Sequence, residues 1–243
     1  MGAIVGRGGG TFIDIHSSAV VTSSWYGSGG ILGEANGNTT ITNCWFDGAV
    51  KGLRTDGSSY TGGMIGLASG GAITIEHSLV SGKATAWKNV GGFIGGAKGT
   101  IQVTLEDNLF SGTIMDGASG YAGQFSGSVE GAATTTSATI TSCFGVSDDV
   151  AEDIGKLVSE PAITGKAGSS VKSDRLIGYT GTSAGLDFVN YWVLTKNSTP
   201  GLKTFTATED IYDSTGINDQ LQLTYWDKTV ADAEDKGVPG CSF

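Results

Sequence analysis

The side chains of this chain that are best suited to acid–base chemistry are two histidines and a cluster of carboxylates. The histidines are His16 and His77, and no serine lies in a GxSxG turn of the kind that activates a nucleophile. Clustered carboxylates can act as general acid and base in polysaccharide cleavage, or they can bind Ca²⁺. The stretch "SDDVAEDIG" has such a cluster but no repeat spacing, which favours a solvated acidic loop. Its members are Asp148, Asp149, Glu152 and Asp153.

Five aromatic residues form a second set with binding potential. Each lies in a predicted turn, at most four residues before a glycine-flanked apolar pair; they are Trp25, Tyr26, Tyr60, Trp87 and Tyr121. A row of aromatic rings on one edge of a repeat structure could stack on sugar rings or anchor a protein partner. Alternatively, these rings could cover the edge of the hydrophobic interior.

The sequence predicts no cofactor and no metal site. Cys44, Cys143 and Cys241 form no CxxC pair and no Cys/His cluster with the spacing of a zinc site. A bridge between Cys44 and Cys143 stays open at this stage. The glycine-rich stretches lack the Lys-Ser/Thr of a phosphate-binding loop.

Composition excludes some classes of partner. The 243 residues include 24 Asp and Glu against 14 Lys and Arg, which gives a net charge of -10, the wrong sign for binding a phosphate backbone. We therefore expect no nucleic-acid partner. No apolar run reaches the roughly 18 residues of a membrane helix, so we expect no membrane insertion, and "MGAIVGRGGG" is not recognisable as a targeting segment.

Glycine-flanked apolar pairs recur along the first half of the chain. They are "GAIVG" from Gly2, "GGILG" from Gly29, "GGMIG" from Gly62, "GGFIG" from Gly91 and a degenerate "AGQFSG" from Ala122, at intervals of 27, 33, 29 and 31 residues. A fixed apolar pattern at this period is typical of solenoids. In the degenerate copy, we expect Gln124 to take an apolar position.

About ten residues after each glycine element comes a run in which apolar and polar residues alternate, which predicts a strand. Stacking these runs predicts one buried column of Ile15, Ile41, Ile75, Leu105 and Ile140, and another of Val5, Leu32, Ile65, Ile94 and Phe125. A polar column would hold Asp14, Thr40, Thr74, Thr104 and Thr139. His77 would share a column with Ser17, Asn43, Asp107 and Ser142, which we interpret as stacked, exposed polar side chains.

These patterns predict an all-β fold, a β-helix-like solenoid of about five coils with a mixed C-terminal cap or continuation. The repeats would occupy residues 1–150, and residues 151–243 would form an irregular coil or cap. Solenoid ends need covering, because exposed coils present unpaired strand edges. Residues 206–223 are the best candidate for a helix, with an N-cap threonine and early acidic residues.

The repeats resemble the GLUG-motif family. "SGGILGEANGNTTITNCWFDGAV" (28–50) has the glycine pair, the two apolar residues and the Asn-Cys-aromatic signature, and "GGMIGLASGGAITIEHSLVSGKA" (62–84) follows the same plan. The segment "VNYWVLTKNSTPGLKTFTATEDIYD" (189–213) is similar to the family's non-repetitive tail. The resemblance covers about 1–145 well and 187–243 loosely.

This resemblance implies a solenoid module of a bacterial extracellular or cell-surface protein, with a structural or adhesive role and no catalytic residues. Its partners would be glycans or proteins, met through the loops and the turn aromatics. A polysaccharide-active β-helix enzyme that uses Asp107 or Asp148 is the alternative. A filament subunit that associates through its solenoid ends is a further one.

Overall fold

The chain winds into a parallel β-solenoid of about five coils, as the alternating pattern predicts. The computed structural model describes residues 1–116, 121–145, 154–165, 186–187, 190–195, 200–207 and 210. Within them the fold is built from strands, and no helix is long and apolar enough to cross a membrane. The acidic cluster Asp148, Asp149, Glu152 and Asp153, Cys241 and most of the proposed helix 206–223 lie outside the described residues.

Each coil contributes short strands that turn around one interior. The first coil has β1 (Val5–Ile13), β2 (His16–Ser17) and β3 (Val20–Ser23); the second has β4 (Gly27–Gly29), β5 (Leu32–Thr42), β6 (Trp45–Phe46) and β7 (Ala49–Gly52). The third has β8 (Tyr60–Gly62), β9 (Ile65–Ala68), β10 (Gly71–Glu76), β11 (Leu79–Val80) and β12 (Lys83–Ala86). The fourth has β13 (Val90–Gly91), β14 (Ile94–Lys98), β15 (Ile101–Glu106), β16 (Leu109–Phe110) and β17 (Thr113–Asp116). The fifth has β18 (Ala122–Gly123), β19 (Ser126–Glu130), β20 (Thr136–Thr141) and β21 (Phe144–Gly145). The remaining strands are β22 (Ile154–Val158), β23 (Ala162–Gly165), β24 (Trp192–Leu194) and β25 (Pro200–Leu202).

Equivalent strands of successive coils pair in parallel and form four sheets along the solenoid. The large sheet has the order β22-β19-β14-β9-β5-β10-β15-β20-β23, with β1 paired to β5. We call β2-β6-β11-β16-β21 the corner sheet, β3-β7-β12-β17 the lysine sheet and β4-β8-β13-β18 the glycine sheet. Strands β22 and β23 continue the large sheet past the fifth coil, so part of the segment 151–186 adds one more irregular coil.

Inward side chains stack into apolar ladders that fill the interior. Ile41, Ile75, Leu105 and Ile140 pair in register and are buried. The glycine pair before each apolar pair is required by close packing: a Cβ at Gly62 would lie 2.1 Å from the Ile65 carbonyl oxygen, a separation that no side chain tolerates.

The predicted register is wrong in the first coil. Phe12, not Ile15, pairs with Ile41, and Ile13 pairs with Thr42 and is 56% exposed. The polar column therefore takes Thr11 in place of Asp14, and it reads Thr11, Thr40, Thr74, Thr104, Thr139 and Thr164. The cause is a register shift within the paired strands, since β1 advances two residues from Gly8 to Gly10 while β5 advances four from Ala35 to Thr39.

The fifth coil also departs from the prediction. Ser126, not Phe125, pairs with Ile94, and Phe125 instead stacks on Phe93 with ring centroids 5.3 Å apart. Gln124 does not take an apolar position. Because Gly123 pairs with Gly91, the next residue, Gln124, takes the position that Gly92 has in the fourth coil.

The described part of the C-terminal region packs along the flank of the solenoid. Its strands β24 and β25 form an antiparallel pair, followed by a single 3₁₀ turn at Lys203–Phe205. Leu186, Trp192 and Leu202 are buried against the outward side chains of the corner sheet, which include Leu79, Leu109 and Phe144. This contact forms a second apolar cluster outside the coils.

Candidate functional site

The predicted aromatic set lies at the corner where the lysine sheet leads into the glycine sheet. Trp25, Tyr26 and Trp87 are 60%, 44% and 45% exposed there, which is unusual for rings of this size. Trp25 and Tyr26 make an edge-to-face contact with centroids 5.8 Å apart. We call Trp25, Tyr26 and Trp87 the aromatic edge.

The other two members of the predicted set are less exposed. Tyr60 begins β8 and is only 6% exposed; its hydroxyl donates to Glu130 Oε1 at 3.4 Å, and burial raises its pKa to about 12. Tyr121 is half-buried, and Lys88 Nζ lies 3.9 Å from its ring centroid. Tyr60 is thus a packing residue, and Tyr121 lies beneath a cation.

Cations that the sequence pattern did not single out lie at the aromatic edge and at the neighbouring Tyr121. The Arg54 guanidinium lies 4.2 Å from the ring centroid of Tyr26 and pairs with Asp56, a contact that lowers the pKa of the Asp56 carboxyl. Lys156 Nζ lies 5.8 Å from the ring centroid of Tyr121. Side chains along β7 and β12 alternate between the interior and the surface, and Lys51 and Lys83 lie on the outer face. The same two-residue alternation in the sequence could have predicted this location.

The His77 column forms a different structure from the exposed row that we expected. Asp14, not Ser17, belongs to this column, and its five residues turn the corner after the large sheet with φ between 48° and 54°; they are Asp14, Asn43, His77, Asp107 and Ser142. Three of its members, Asn43, His77 and Asp107, hold the C-terminal segment. His77 stacks on Tyr191 with centroids 3.6 Å apart, and Asn43 Nδ2 donates to Thr204 Oγ1 at 2.6 Å.

Asp107 is the centre of this contact. His77 Nδ1 lies 2.8 Å from Asp107 Oδ2, Trp192 Nε1 donates to the same oxygen at 2.8 Å, and the backbone N–H of Asp187 donates to Oδ1 at 2.7 Å. Asp107 is 3% exposed; burial raises its pKa, and the hydrogen bonds from His77 and Trp192 oppose that rise. A carboxylate enclosed in this way fixes the chain and does not face an open substrate groove.

His16 lies on the same flank but has no catalytic geometry. Its Nε2 lies 3.0 Å from Asp47 Oδ2 and 3.4 Å from Ser18 Oγ, so both partners meet the same ring nitrogen. A relay needs the acid and the nucleophile on opposite nitrogens. The ring also stacks on Trp45 with centroids 4.1 Å apart.

The cysteines of the repeats are free thiols. Cys44 and Cys143 are both buried and unbridged, with Ser78 and Asn108 between them in the stack. Burial raises the pKa of Cys44 to about 11 and that of Cys143 to about 12. Among the described residues, no group of three or more His, Cys, Asp or Glu side chains is placed to hold a metal ion.

No family model matches the chain, and no curated protein matches it. A crystal structure of a "putative immunoglobulin A1 protease" from Bacteroides ovatus is similar, with 20% sequence identity and a TM-score of 0.49. The similarity covers 84% of this chain and 64% of that one, so this chain spans less than two thirds of that structure. The solenoid assignment depends on the chain's own strand ladders and not on this similarity.

Proposed function

We propose that this chain is a non-catalytic β-solenoid module of a bacterial extracellular or cell-surface protein, related to the GLUG-motif repeats, and that its aromatic edge binds glycans. The observation that carries the proposal is the exposure of Trp25, Tyr26 and Trp87 at the same corner of the coils. Large rings held on a rigid scaffold offer flat apolar faces at low entropic cost, which suits stacking on sugar rings.

The architecture supports a presenting role. The coils are tied together by continuous parallel ladders, so the loops that join them are held at fixed spacing along one edge. Of the two carboxylates in the enzymatic alternative, Asp107 lies within the described residues, and the C-terminal segment encloses it. Its companion in that alternative, Asp148, lies outside the described residues.

A glycan array tests the proposal. We expect the purified chain to bind a subset of glycans, and we expect Trp25→Ala and Trp87→Ala to weaken that binding at least several-fold. Ile13→Ala is the matched control, because Ile13 is similarly exposed but lies on the large sheet. Absence of binding to every glycan on the array would contradict the proposal.

A cleavage assay separates this function from the enzymatic alternative. The chain is incubated with acidic and neutral polysaccharides, and reducing-sugar release is measured for the parent chain and for Asp148→Asn. We expect no release. Release that Asp148→Asn abolishes would make the non-catalytic assignment wrong.

Association through the solenoid ends is a separate prediction. The outer edge of β1 has no strand partner among the described residues, so it could pair with another chain. Sedimentation and electron microscopy of the purified chain would detect open-ended assemblies.

A further inference from the structure

We propose that the ligand of the aromatic edge is an anionic polysaccharide, whose carboxylate or sulfate groups are bound by the cations beside the edge. This inference rests on the proposed function and narrows its ligand class. The cations are Lys51 and Lys83 on the outer face of the lysine sheet, and Lys88 at the corner that follows it.

The outer face of the lysine sheet carries positive charge only. Its outward positions, taken from the strand register, are Val20, Thr22, Ala49, Lys51, Lys83, Thr85, Thr113 and Met115. In a chain whose net charge is -10, a face with two lysines and no carboxylate departs from the average surface. By contrast, the outer face of the large sheet carries Glu76 and Glu106 in paired positions.

These ammonium groups have no acidic partner in the described part of the chain. The ion pairs there involve Arg7, His16, Arg54 and His77, and none includes Lys51, Lys83 or Lys88. Lys88 lies on the ring of Tyr121, a contact that leaves its charge intact. Three cations without a counter-ion next to exposed rings suit a ligand that brings both apolar sugar faces and negative charge.

Of the three carboxylates near the lysine sheet, two already have a basic partner. Asp56 is paired with Arg54, and Asp47 with His16. Asp116 ends β17 in the inward column of the lysine sheet, opposite Ala86. Among the described residues, the three unpaired ammonium groups beside the aromatic edge therefore outnumber this one carboxylate, which favours anions within a Debye length of about 8–10 Å, although the whole chain repels anions at longer range.

The spacing of the two lysines matches an extended polymer. Thr85 pairs with Lys51 and Ala49 with Lys83, so the lysines are diagonal neighbours on adjacent strands. Strands about 4.8 Å apart with a rise of about 3.3 Å per residue place their Cα atoms roughly 8 Å apart. A single chain of sugars lying along this face could meet both ammonium groups and then the rings of the edge.

The experiment compares charged and uncharged forms of the same backbone. The dissociation constants of polygalacturonate and its methyl ester, and of dextran sulfate and dextran, are measured at about 50 mM and 500 mM salt. We expect at least one charged probe to bind roughly tenfold or more tightly than its neutral form at low salt, and the gap to close at high salt.

Variants then assign the charges. Lys51→Gln and Lys83→Gln are each expected to weaken binding of the charged probe roughly threefold, and the double variant more. Lys98→Gln removes one exposed charge from the large sheet and is the matched control. Circular dichroism and thermal unfolding check that each variant is folded.

The outcomes separate the two proposals. Equal binding of a neutral and a charged probe, still lost in Trp87→Ala, would keep glycan binding and overturn the anionic ligand. Loss of binding in Lys98→Gln equal to that in Lys51→Gln would also overturn it. Failure of every glycan on the array to bind would overturn the proposed function, and this inference with it.

Discussion

At the scale of single residues, two facing interior positions of the fifth coil carry their large and small side chains in the opposite order to the regular coils. In regular coils the second glycine makes room for the strand opposite: a Cβ at Gly30 would lie 2.3 Å from the ring of Phe46, and one at Gly92 2.4 Å from that of Phe110. In the fifth coil, Gln124 takes the glycine position and Gly145 the aromatic one. A Cβ at Gly145 would lie 1.8 Å from Gln124 Oε1, so the volume is conserved.

This exchange predicts the behaviour of a double variant. Gln124 is buried, and neither its Oε1 nor its Nε2 has a hydrogen-bond partner within the described structure. Gly145→Phe alone should destabilise the fold by about 1–3 kcal/mol through overpacking. Adding Gln124→Gly should restore the regular packing, remove the unpaired amide and exceed parent stability by about 1 kcal/mol. Urea unfolding measures both, and a double variant less stable than Gly145→Phe would contradict the exchange.

Tyr60 predicts an alkaline loss of stability. The folded chain holds the phenol proton with a pKa of about 12, against about 10 for an unfolded tyrosine. The stabilisation of the fold by the protonated Tyr60 phenol is therefore fully present below pH about 10 and is lost as the pH rises through about 12. Urea unfolding across this range should show a steeper loss for the parent than for Tyr60→Phe. The exposed Tyr26→Phe is the control, and matching profiles for the parent and Tyr60→Phe would contradict the assignment.

At the scale of elements, the register between β1 and β5 decides which side chains of the first coil are buried. The alternation in "FIDIHS" allows either Phe12 or Ile13 and Ile15 to face inward, because a strand's faces exchange with a shift of one residue. The register shift at Gly8–Gly10 selects Phe12, which is 8% exposed.

Alanine substitutions test this register. Phe12→Ala should cost about 3–5 kcal/mol in the free energy of unfolding, because it removes a buried ring. Ile13→Ala should cost under about 0.5 kcal/mol, because the side chain is mostly in solvent. Chemical denaturation with fluorescence detection measures both. A larger cost for Ile13→Ala than for Phe12→Ala would support the register predicted from the sequence, in which Ile13 and Ile15 face inward.

At the scale of the whole molecule, a second apolar cluster joins the C-terminal segment to the coils. The corner sheet turns Leu79, Leu109 and Phe144 outward, and Leu186 and Trp192 cover them. Asp107 links the two parts because it accepts hydrogen bonds from both the indole of Trp192 and the backbone of Asp187.

Asp107→Asn should loosen this attachment. The variant keeps the shape but loses charge-assisted acceptance, worth about 1.5–3 kcal/mol for hydrogen bonds to a charged group. Hydrogen exchange at the Trp192 amide, which donates to Asp187 O at 3.0 Å, should accelerate while the coil interior stays protected. Glu106→Gln, an exposed neighbour, is the control. Equal acceleration throughout the coils would show that Asp107 supports the whole fold and not the attachment.

The sequence alone determined the repeat architecture. Gly62 and Gly91 recur at fixed distances from alternating apolar residues, and both features report short-range physics: close backbone approach at the glycines, and a two-residue period along each strand. Most of the buried columns, such as Ile41 with Ile75, follow from these two signals. The location of the turn aromatics on one corner follows as well.

The tertiary structure decided what depends on contacts between distant parts of the chain. Asp107 and Trp192 are 85 residues apart, and no local pattern indicates that they meet. The burial of Tyr60 against Glu130, and the lack of an acidic partner for Lys51 among the described residues, depend on which strands become neighbours in the stack. Periodicity specifies which way a side chain points, whereas its neighbours depend on the lengths of the turns between strands.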